Sequence, residues 1–182
     1  MPHLLEEAST GRATCRGCGA KIAAKVWRFG ERRPNPYGDD GTEVTHWFHV
    51  PCAAYRRPEP FLETVATTGV EIVDREQLEH EARAGLANER LPRVSTAERA
   101  TTGRATCRHC REAIAKDSWR IALLYYEEGQ FSPSGFIHAR CAAPYFETAA
   151  IMTRVRHFSP ALSDADLAEI QADVESAGAG TP

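Results

Sequence analysis

The chain has 182 residues, a net charge of −3 and 42% hydrophobic residues, enough for one domain or two small ones. The overall negative charge disfavours a globally basic, non-specific nucleic-acid-binding protein, although local charge matters more. No apolar run approaches the roughly 20 residues that span a bilayer, and residues 1–10 lack the basic start and apolar core of a signal peptide. We expect no membrane association and an intracellular location. The Ala- and Arg-rich composition suggests a bacterium and hence cytoplasm or nucleoid; in a eukaryote we expect the nucleus.

One stretch of sequence occurs twice. Residues 11–28 read GRATCRGCGAKIAAKVWR and residues 103–120 read GRATCRHCREAIAKDSWR, at a constant offset of 92 positions. A His-x2-Cys follows each copy. Self-similarity of this kind predicts a tandem repeat, so we place two domains at residues 1–92 and 93–182.

The expected elements of the first half alternate between strands and helices. Residues 1–10 form an acidic arm or strand that leads into the first copy of the repeat. β-Branched and aromatic residues predict strands at residues 25–30 and 44–49, separated by a loop rich in Pro, Gly and Asp. A short helix starts near Pro51, and Asp74 can cap a helix that runs to about Ala87.

The second half repeats this order with a shorter connection. Residues 123–138, LLYYEEGQFSPSGFIH, are expected to form the loop before the second His-x2-Cys. Ser163 is a good helix cap, and an apolar stripe follows it at Leu167, Ile170 and Val174. We expect both closing helices to pack on the cores of their own domains.

All six cysteines lie in the two repeats, three in each. Three cysteines cannot close on disulfides alone, and one histidine completes each set at metal-ligand spacing. Four N and S donors in a closed site are typical of structural zinc and leave no open position for hydrolysis. We therefore predict two zinc ions per chain, against the alternatives of free buried thiols or a redox pair. The ligand sets are Cys15-x2-Cys18-x30-His49-x2-Cys52 and Cys107-x2-Cys110-x27-His138-x2-Cys141.

The other histidines are not expected to bind metal, because each set already has four ligands. His46 is expected on the outer face of its strand, and the remaining ones are expected to be solvated or packed. The fold class is therefore α+β: two tandem small zinc-finger domains, each with a short antiparallel sheet, a Cys3His zinc site and a C-terminal helix. Trp27 and Trp119 are expected in the cores because of their size.

The pattern of GRATC, a second cysteine, a Trp-Arg pair, a long loop, His-x2-Cys and a closing helix resembles a known family. It is similar to the zinc fingers of poly(ADP-ribose) polymerases and of one vertebrate DNA ligase, called PARP-type zinc fingers. The resemblance covers nearly the whole chain and leaves no segment for an ADP-ribosyltransferase, ligase or BRCT domain. It implies binding to DNA strand breaks, nicks or ends through arginines on the backbone and apolar loop side chains on the exposed bases.

The resemblance also implies roles for individual residues. Arg12 and Arg104 match the phosphate-contacting arginine of the family, and Arg28 and Arg120 match a second basic position near the backbone. One further arginine follows the first cysteine of each copy, Arg16 in the first and Arg108 in the second. The full phosphate-contacting set is then Arg12, Arg16, Arg28, Arg104, Arg108 and Arg120. The candidates for stacking on bases are Tyr37 and Val44 in the first loop and Phe131 and Pro133 in the second.

Physical chemistry favours the same interpretation. A break exposes the flat face of a terminal base pair, and one stacking contact with it is worth about 1–3 kcal/mol. Residues 11–63 hold nine basic and six acidic side chains, a net +3, and residues 98–148 hold seven and six, a net +1. The two zinc-binding segments are thus the positive parts of an acidic chain, although charged residues of this kind often form only a solvated face.

Two functions from different classes fit the sequence. The first is a non-catalytic module for DNA damage and repair, which binds broken duplex and can recruit a repair enzyme on a separate chain. The alternative is a zinc-stabilised protein-interaction adaptor with little DNA binding, which the net acidity suits. We expect no enzyme, because the sequence has no catalytic triad, phosphate-binding loop, paired carboxylates or open metal site.

Overall fold

The structure is a computed structural model that describes residues 2–35, 38–39 and 41–176. The chain divides into two compact units, Met1–Ala87 with Glu128–Phe131, and Asn88–Glu127 with Ser132–Pro182. In the part of the chain that the structure describes, each half contains one three-stranded sheet and three α-helices. This confirms the predicted α+β class with two small tandem domains. Within the described residues, no helix is long and apolar enough to cross a membrane.

The elements follow the same order in both halves. The strands are β1 Leu4–Glu7, β2 Trp27–Pro34, β3 Glu43–His49, β4 Val94–Arg99, β5 Trp119–Glu127 and β6 Gln130–His138. The helices are α1 Val50–Arg56, α2 Pro58–Thr67, α3 Arg75–Ala87, α4 Ala142–Phe146, α5 Met152–Phe158 and α6 Asp164–Ser176. Short 3-10 turns precede β4 at Leu91–Arg93 and α4 at Ala139–Cys141.

The core of the first unit lies on one face of its antiparallel sheet, which has the order β1-β2-β3. Phe29 on β2 lies opposite Phe48 on β3, and their ring centroids are 6.2 Å apart. Phe61 of α2 adds an edge-to-face contact with Phe29 at 6.4 Å. All three rings are fully buried. Because side chains alternate across a strand, Arg28 and Gly30 point to the opposite face of the sheet from Phe29.

The local structure differs from the expectation at the second connection and after α1. Residues 123–138 are not a loop but most of a β5–β6 hairpin, whose turn residues Glu128 and Gly129 have φ of 50° and 83°. Positive φ at both turn positions matches the twist of the flanking strands. Helix α2 was not predicted from the sequence; it begins at Pro58, where the missing N–H of proline costs a helix nothing.

The two tryptophans differ although the repeat aligns them. Trp119 is 6% exposed, and its indole N–H donates to Glu169 Oε2 of α6 at 2.9 Å. Trp27 is 38% exposed, so its expected place in the core was wrong. The repeat determines the strand position of each tryptophan, but the closing helix decides whether the ring is covered.

The repeat fixes the backbone that leads into each sheet. The amides of Ala8 and Ala100 donate to Val26 O and Ser118 O, both at 2.9 Å. The return bonds come from Lys25 N and Asp117 N, both at 2.8 Å. Lys25 and Asp117 have φ of 62° and 65°, a left-handed conformation that is uncommon outside glycine. The residues that make these hydrogen bonds are thus 92 positions apart, and both units have the same backbone conformation before β2 and β5.

Ser163→Ala should destabilise the second unit by about 1 kcal/mol, because Ser163 precedes α6 as its N-cap and exchanges hydrogen bonds with Asp166. The Asp166 amide donates to Ser163 Oγ at 3.1 Å, and the Ser163 amide donates to Asp166 Oδ2 at 3.0 Å. Urea unfolding of the variant measures the loss. Ser176→Ala, which removes a hydroxyl at the other end of α6, is the control. An equal loss in both variants would contradict the capping role.

The cap should also weaken in acid. Hydrogen bonds from the Ser163 side chain and backbone lower the pKa of Asp166 below its ordinary 3.8. A carboxyl group with a lowered pKa in the folded state stabilises above its unfolded pKa, and this contribution is lost as the pH falls through the folded value. The difference between the wild type and Ser163→Ala should therefore shrink below about pH 4.

Candidate metal centres and nucleic-acid surface

The first ligand set comes together at the end of the first sheet. Cys15 and Cys18 lie in a turn that Gly19 closes, with its amide on Cys15 O at 2.8 Å and its φ at 77°. His49 ends β3, and Cys52 lies one turn later on α1. All four donor atoms lie within 4.8 Å of one another, as the spacing predicts.

The distances identify the donor atom of the histidine. His49 Nδ1 lies 3.4 Å from Cys18 Sγ and 3.9 Å from Cys52 Sγ. In a tetrahedral zinc site with Zn–S of about 2.3 Å and Zn–N of about 2.0–2.1 Å, neighbouring donor atoms lie about 3.6–3.8 Å apart. The donors therefore fit one zinc ion, with Nδ1 as the imidazole ligand.

The second set has the same geometry and one further contact. His138 Nδ1 lies 3.4 Å from Cys110 Sγ and 3.8 Å from Cys141 Sγ. His138 Nε2 lies 3.2 Å from Ala113 O, to which a protonated Nε2 donates. A bond of this type fixes the tautomer and orients the ring of a metal-binding histidine. The two clusters are consistent with two zinc ions per chain, and among the described residues no other His, Cys or carboxylate group forms a cluster of this kind.

The pKa values of the donor groups shift in opposite directions, because neighbouring thiols cannot all lose their protons in the absence of a cation. Hydrogen bonds with Cys15 and Cys52 hold the pKa of Cys18 far below its usual value. Hydrogen bonds with Cys15 and Cys18 raise the pKa of Cys52 well above its usual value and that of His49 to about 10. In the second site, burial raises the pKa of Cys141 to about 12. Several thiols in one small space cannot all ionise alone, whereas a bound divalent metal stabilises their thiolates.

His46 corrects another expectation. It was expected on the outer face of β3, but it is only 7% exposed. Burial, and then the charge of Arg16, lower its pKa, so that the neutral form is favoured. It belongs to neither metal cluster.

Four of the six predicted phosphate-contacting arginines have available side chains. They are exposed, and none of them forms an ion pair with any described residue: Arg12, Arg16, Arg104 and Arg108. Lys21 Nζ fixes the loop that carries the first of them, with bonds to Arg12 O at 3.1 Å and Thr14 Oγ1 at 3.0 Å. In each unit one of these arginines precedes the Cys-x2-Cys turn and the other lies within it.

The other two arginines have a different environment. Arg28 is 9% exposed, donates from Nε to Glu6 Oε1 at 3.1 Å, and lies 3.6 Å from the Trp47 ring centroid. Arg120 is 8% exposed, donates from Nε to Glu98 Oε1 at 3.0 Å, and lies 3.8 Å from the Phe136 ring centroid. Each guanidinium is thus paired with a carboxylate and covered by an aromatic ring. These contacts give both residues a structural role, which differs from the phosphate contact implied by the resemblance.

Glu6 and Glu98 are the structural partners of these two arginines, and their role was not predicted from the sequence. They are separated by the same 92 positions as Arg28 and Arg120. They lie opposite those arginines in the β1–β2 and β4–β5 pairings. A match of acidic and basic positions at one shared offset was the signal that could have revealed both ion pairs.

Three of the four predicted stacking residues lie at the far ends of the hairpins from the metal sites. Val44 is half-buried on β3 opposite Arg33. Phe131 and Pro133 lie on β6, where Pro133 is exposed and Phe131 is half-buried. Tyr37 lies outside the described residues.

Comparison with known proteins gives relatives for part of the chain. No family model matches it. It is 28% identical over 141 residues to poly(ADP-ribose) polymerase of Drosophila melanogaster, a match that covers 70% of this chain and 14% of that protein. It is 28% identical over 136 residues to poly(ADP-ribose) polymerase 1 of Gallus gallus, covering 66% and 13%. It is 22% identical over 167 residues to polynucleotide 3′-phosphatase ZDP of Arabidopsis thaliana, covering 78% and 24%.

The chain therefore spans less than a quarter of the length of these relatives. They are animal and plant proteins, so the bacterial origin suggested by composition stays a prediction. The relatives named poly(ADP-ribose) polymerase and the two Cys3His clusters together support PARP-type zinc fingers in this chain.

Proposed function

We propose that this chain binds DNA at strand breaks, nicks or ends through its two zinc-stabilised units, and that it does so without catalysis. The observation that carries the proposal is a set of four exposed arginines at the Cys-x2-Cys turns that form no ion pair with a carboxylate in the described part of the chain. Guanidinium groups suit bidentate contact with phosphate oxygens. The similarity to poly(ADP-ribose) polymerases and to a polynucleotide 3′-phosphatase supports a polynucleotide as the partner.

The proposed mechanism separates affinity from discrimination. Arg12 and Arg16 in the first unit, and Arg104 and Arg108 in the second, contact backbone phosphates and supply salt-dependent, sequence-independent affinity. Val44 and Pro133 cover base faces that only a break exposes, which adds a stacking contact absent from intact duplex. The zinc ions supply no chemistry in this scheme; they hold the arginine-bearing turns in place.

The proposal extends to the biological setting. A module of this kind acts in DNA damage recognition and repair, with the reaction at the break carried out by a repair enzyme on a separate chain. Its place of action is then the nucleus, or the nucleoid if the source is bacterial.

Intact, nicked and gapped duplexes of one sequence, titrated at two salt concentrations, test this function. We expect at least tenfold tighter binding to the broken duplexes, since one stacking contact is worth about 1–3 kcal/mol. Arg12→Ala and Arg104→Ala should weaken binding to every duplex, and each should lower the salt slope by about 1. Val44→Ser should reduce the preference for breaks and leave the binding of intact duplex unchanged.

Arg83→Ala is the matched control, because Arg83 is exposed but paired with Glu79 on α3. It should change the affinity by less than twofold. Weak, salt-insensitive and equal binding to all duplexes would contradict break recognition and favour a protein-interaction adaptor.

A further inference from the structure

A cavity of about 420 Å³ lies in the second unit beside its metal cluster, and its lining is basic. The lining residues are Arg90, Arg93, Arg108, His109, Ser134 and Tyr145. Its volume is within the roughly 300–1,000 Å³ of ligand-binding pockets. The lining includes three guanidinium groups, two hydroxyl groups and one imidazole, and among the described residues it has no carboxylate.

The three arginines are held in place without being neutralised. Arg90 Nη1 donates to Tyr145 O at 3.4 Å, and its guanidinium lies 5.2 Å from the Tyr145 ring centroid. The Arg93 guanidinium lies 5.4 Å from the Tyr125 ring centroid. Within the part of the chain that the structure describes, none of the three forms an ion pair, in contrast to Arg99, Arg120, Arg140 and Arg156 of the same unit. Their positive charge is therefore available to an anion.

Backbone hydrogen bonds hold these groups around the cavity. Arg90 and Arg93 lie one turn apart, because the Arg93 amide donates to Arg90 O at 2.9 Å next to the fully buried Leu91. The Arg108 amide donates to Phe136 O at 2.8 Å and so ties the Cys-x2-Cys turn to β6. Gly135 has a φ of 91°, and a Cβ there would lie 2.8 Å from Arg108 Nε. A glycine at this position therefore makes room for the Arg108 side chain.

The first unit does not repeat this lining. The offset of 92 positions aligns His109 with Gly17, and the offset of 89 that joins His138 to His49 aligns Tyr145 with Arg56. The cavity is thus a feature of the second unit, and the zinc-binding scaffold that both units share does not require it.

We infer that this cavity binds a phosphate group with a terminal, dianionic charge, such as that of a phosphate monoester or a diphosphate. Three guanidinium groups around one cavity suit several phosphate oxygens at once, and the Ser134 hydroxyl can donate one further bond. Such a group can come from the 5′ or 3′ end of a broken DNA strand or from a free nucleotide. The inference goes beyond the proposed function, because it needs no stacking at a break.

Calorimetric titration of the zinc-loaded full chain with inorganic pyrophosphate tests the site. Wild type should bind the probe, and the double variant Arg90→Ala/Arg93→Ala should bind it at least tenfold more weakly, since each lost charge-assisted contact alone costs about tenfold. Arg156→Ala removes the same charge from an exposed position of the same unit and should change the affinity by less than twofold. Zinc content and circular dichroism of the double variant check that the fold is retained.

Nicked duplexes that carry either a 5′-phosphate or a 5′-hydroxyl at the nick identify the source of the phosphate. Tighter binding of the phosphorylated nick by wild type, lost in the double variant, would assign the site to a DNA terminus. Pyrophosphate binding without this effect would assign it to a free phosphate ligand, and both results support the inference. Absence of pyrophosphate binding together with indifference to the 5′-phosphate would overturn it, as would equal weakening by Arg156→Ala.

The two proposals can fail separately. Suppose that the preference for nicks depends on Arg12 and Arg104, and that the Arg90→Ala/Arg93→Ala variant binds phosphate probes as wild type does. This result would refute the phosphate site and leave the proposed function supported. Pyrophosphate binding by a chain that shows no preference for breaks would do the reverse.

Discussion

Cys15→Ser should leave one zinc ion per chain instead of two and should unfold the first unit. Structural zinc contributes about 10–16 kcal/mol of apparent binding free energy in zinc-finger peptides, which is comparable to the whole stability of a small domain. Cys15 is fully buried, and its Sγ also accepts the His49 amide at 3.3 Å. Serine replaces the thiolate with a poor zinc ligand, so the turn, the end of β3 and the start of α1 lose their common anchor.

Elemental analysis and amide hydrogen exchange measure these two effects. Exchange protection should disappear in β2 and β3 and persist in β5 of the second unit. Cys107→Ser is the reciprocal control: protection should be lost in β5 and should persist in β2 and β3. Retention of two zinc ions by either variant would refute the ligand assignment, and loss of protection in both units of either variant would refute their independence.

Arg120→Ala should destabilise the second unit by about 2–3 kcal/mol. Removing one partner of a buried ion pair costs about 3–5 kcal/mol, but solvent screens this pair because the Glu98 side chain is 45% exposed. The variant also loses the contact between the guanidinium and the Phe136 ring. The effect on DNA affinity should be secondary and should follow the loss of folded protein.

Arg104→Ala provides the matched comparison, since Arg104 is exposed and without an ion pair among the described residues. Its stability should change by less than about 0.5 kcal/mol, while its affinity for nicked duplex should fall. Urea unfolding and duplex titration of both variants give the comparison. If Arg120→Ala is stable but binds DNA more weakly, the result would instead support the phosphate contact that the resemblance implies for Arg120.

The difference between these arginines shows where inference from sequence stops. Arg104 and Arg120 are both basic residues of one repeated motif, and neither the motif nor the local charge separates them. What separates them is a carboxylate 22 positions away on β4, which the β4–β5 register places beside Arg120. Strand register depends on the whole sheet, so the repeated motif alone does not pair Glu98 with Arg120.

Local chemistry was predicted more successfully than connections. The cap at Ser163 needs only residues three positions apart, and it formed as expected. The prediction of a loop at residues 123–138 was wrong, because the hairpin turn at Glu128 and Gly129 has a weaker sequence signal than Asn-Gly or Asp-Gly. The exposure of Trp27 and burial of Trp119 depend on what the helices of each unit cover, which no strand pattern encodes.

The scaffold of this protein can be predicted from its sequence. Ligand spacing and the twofold GRATC motif specify two closed Cys3His sites, because metal coordination tolerates few donor types and short spacings. Which arginines remain available follows from the folded structure, which also brings Arg90, Arg93 and Arg108 together around one cavity. The availability of a charged side chain depends on burial and on partners distant in sequence, and both are properties of the folded chain.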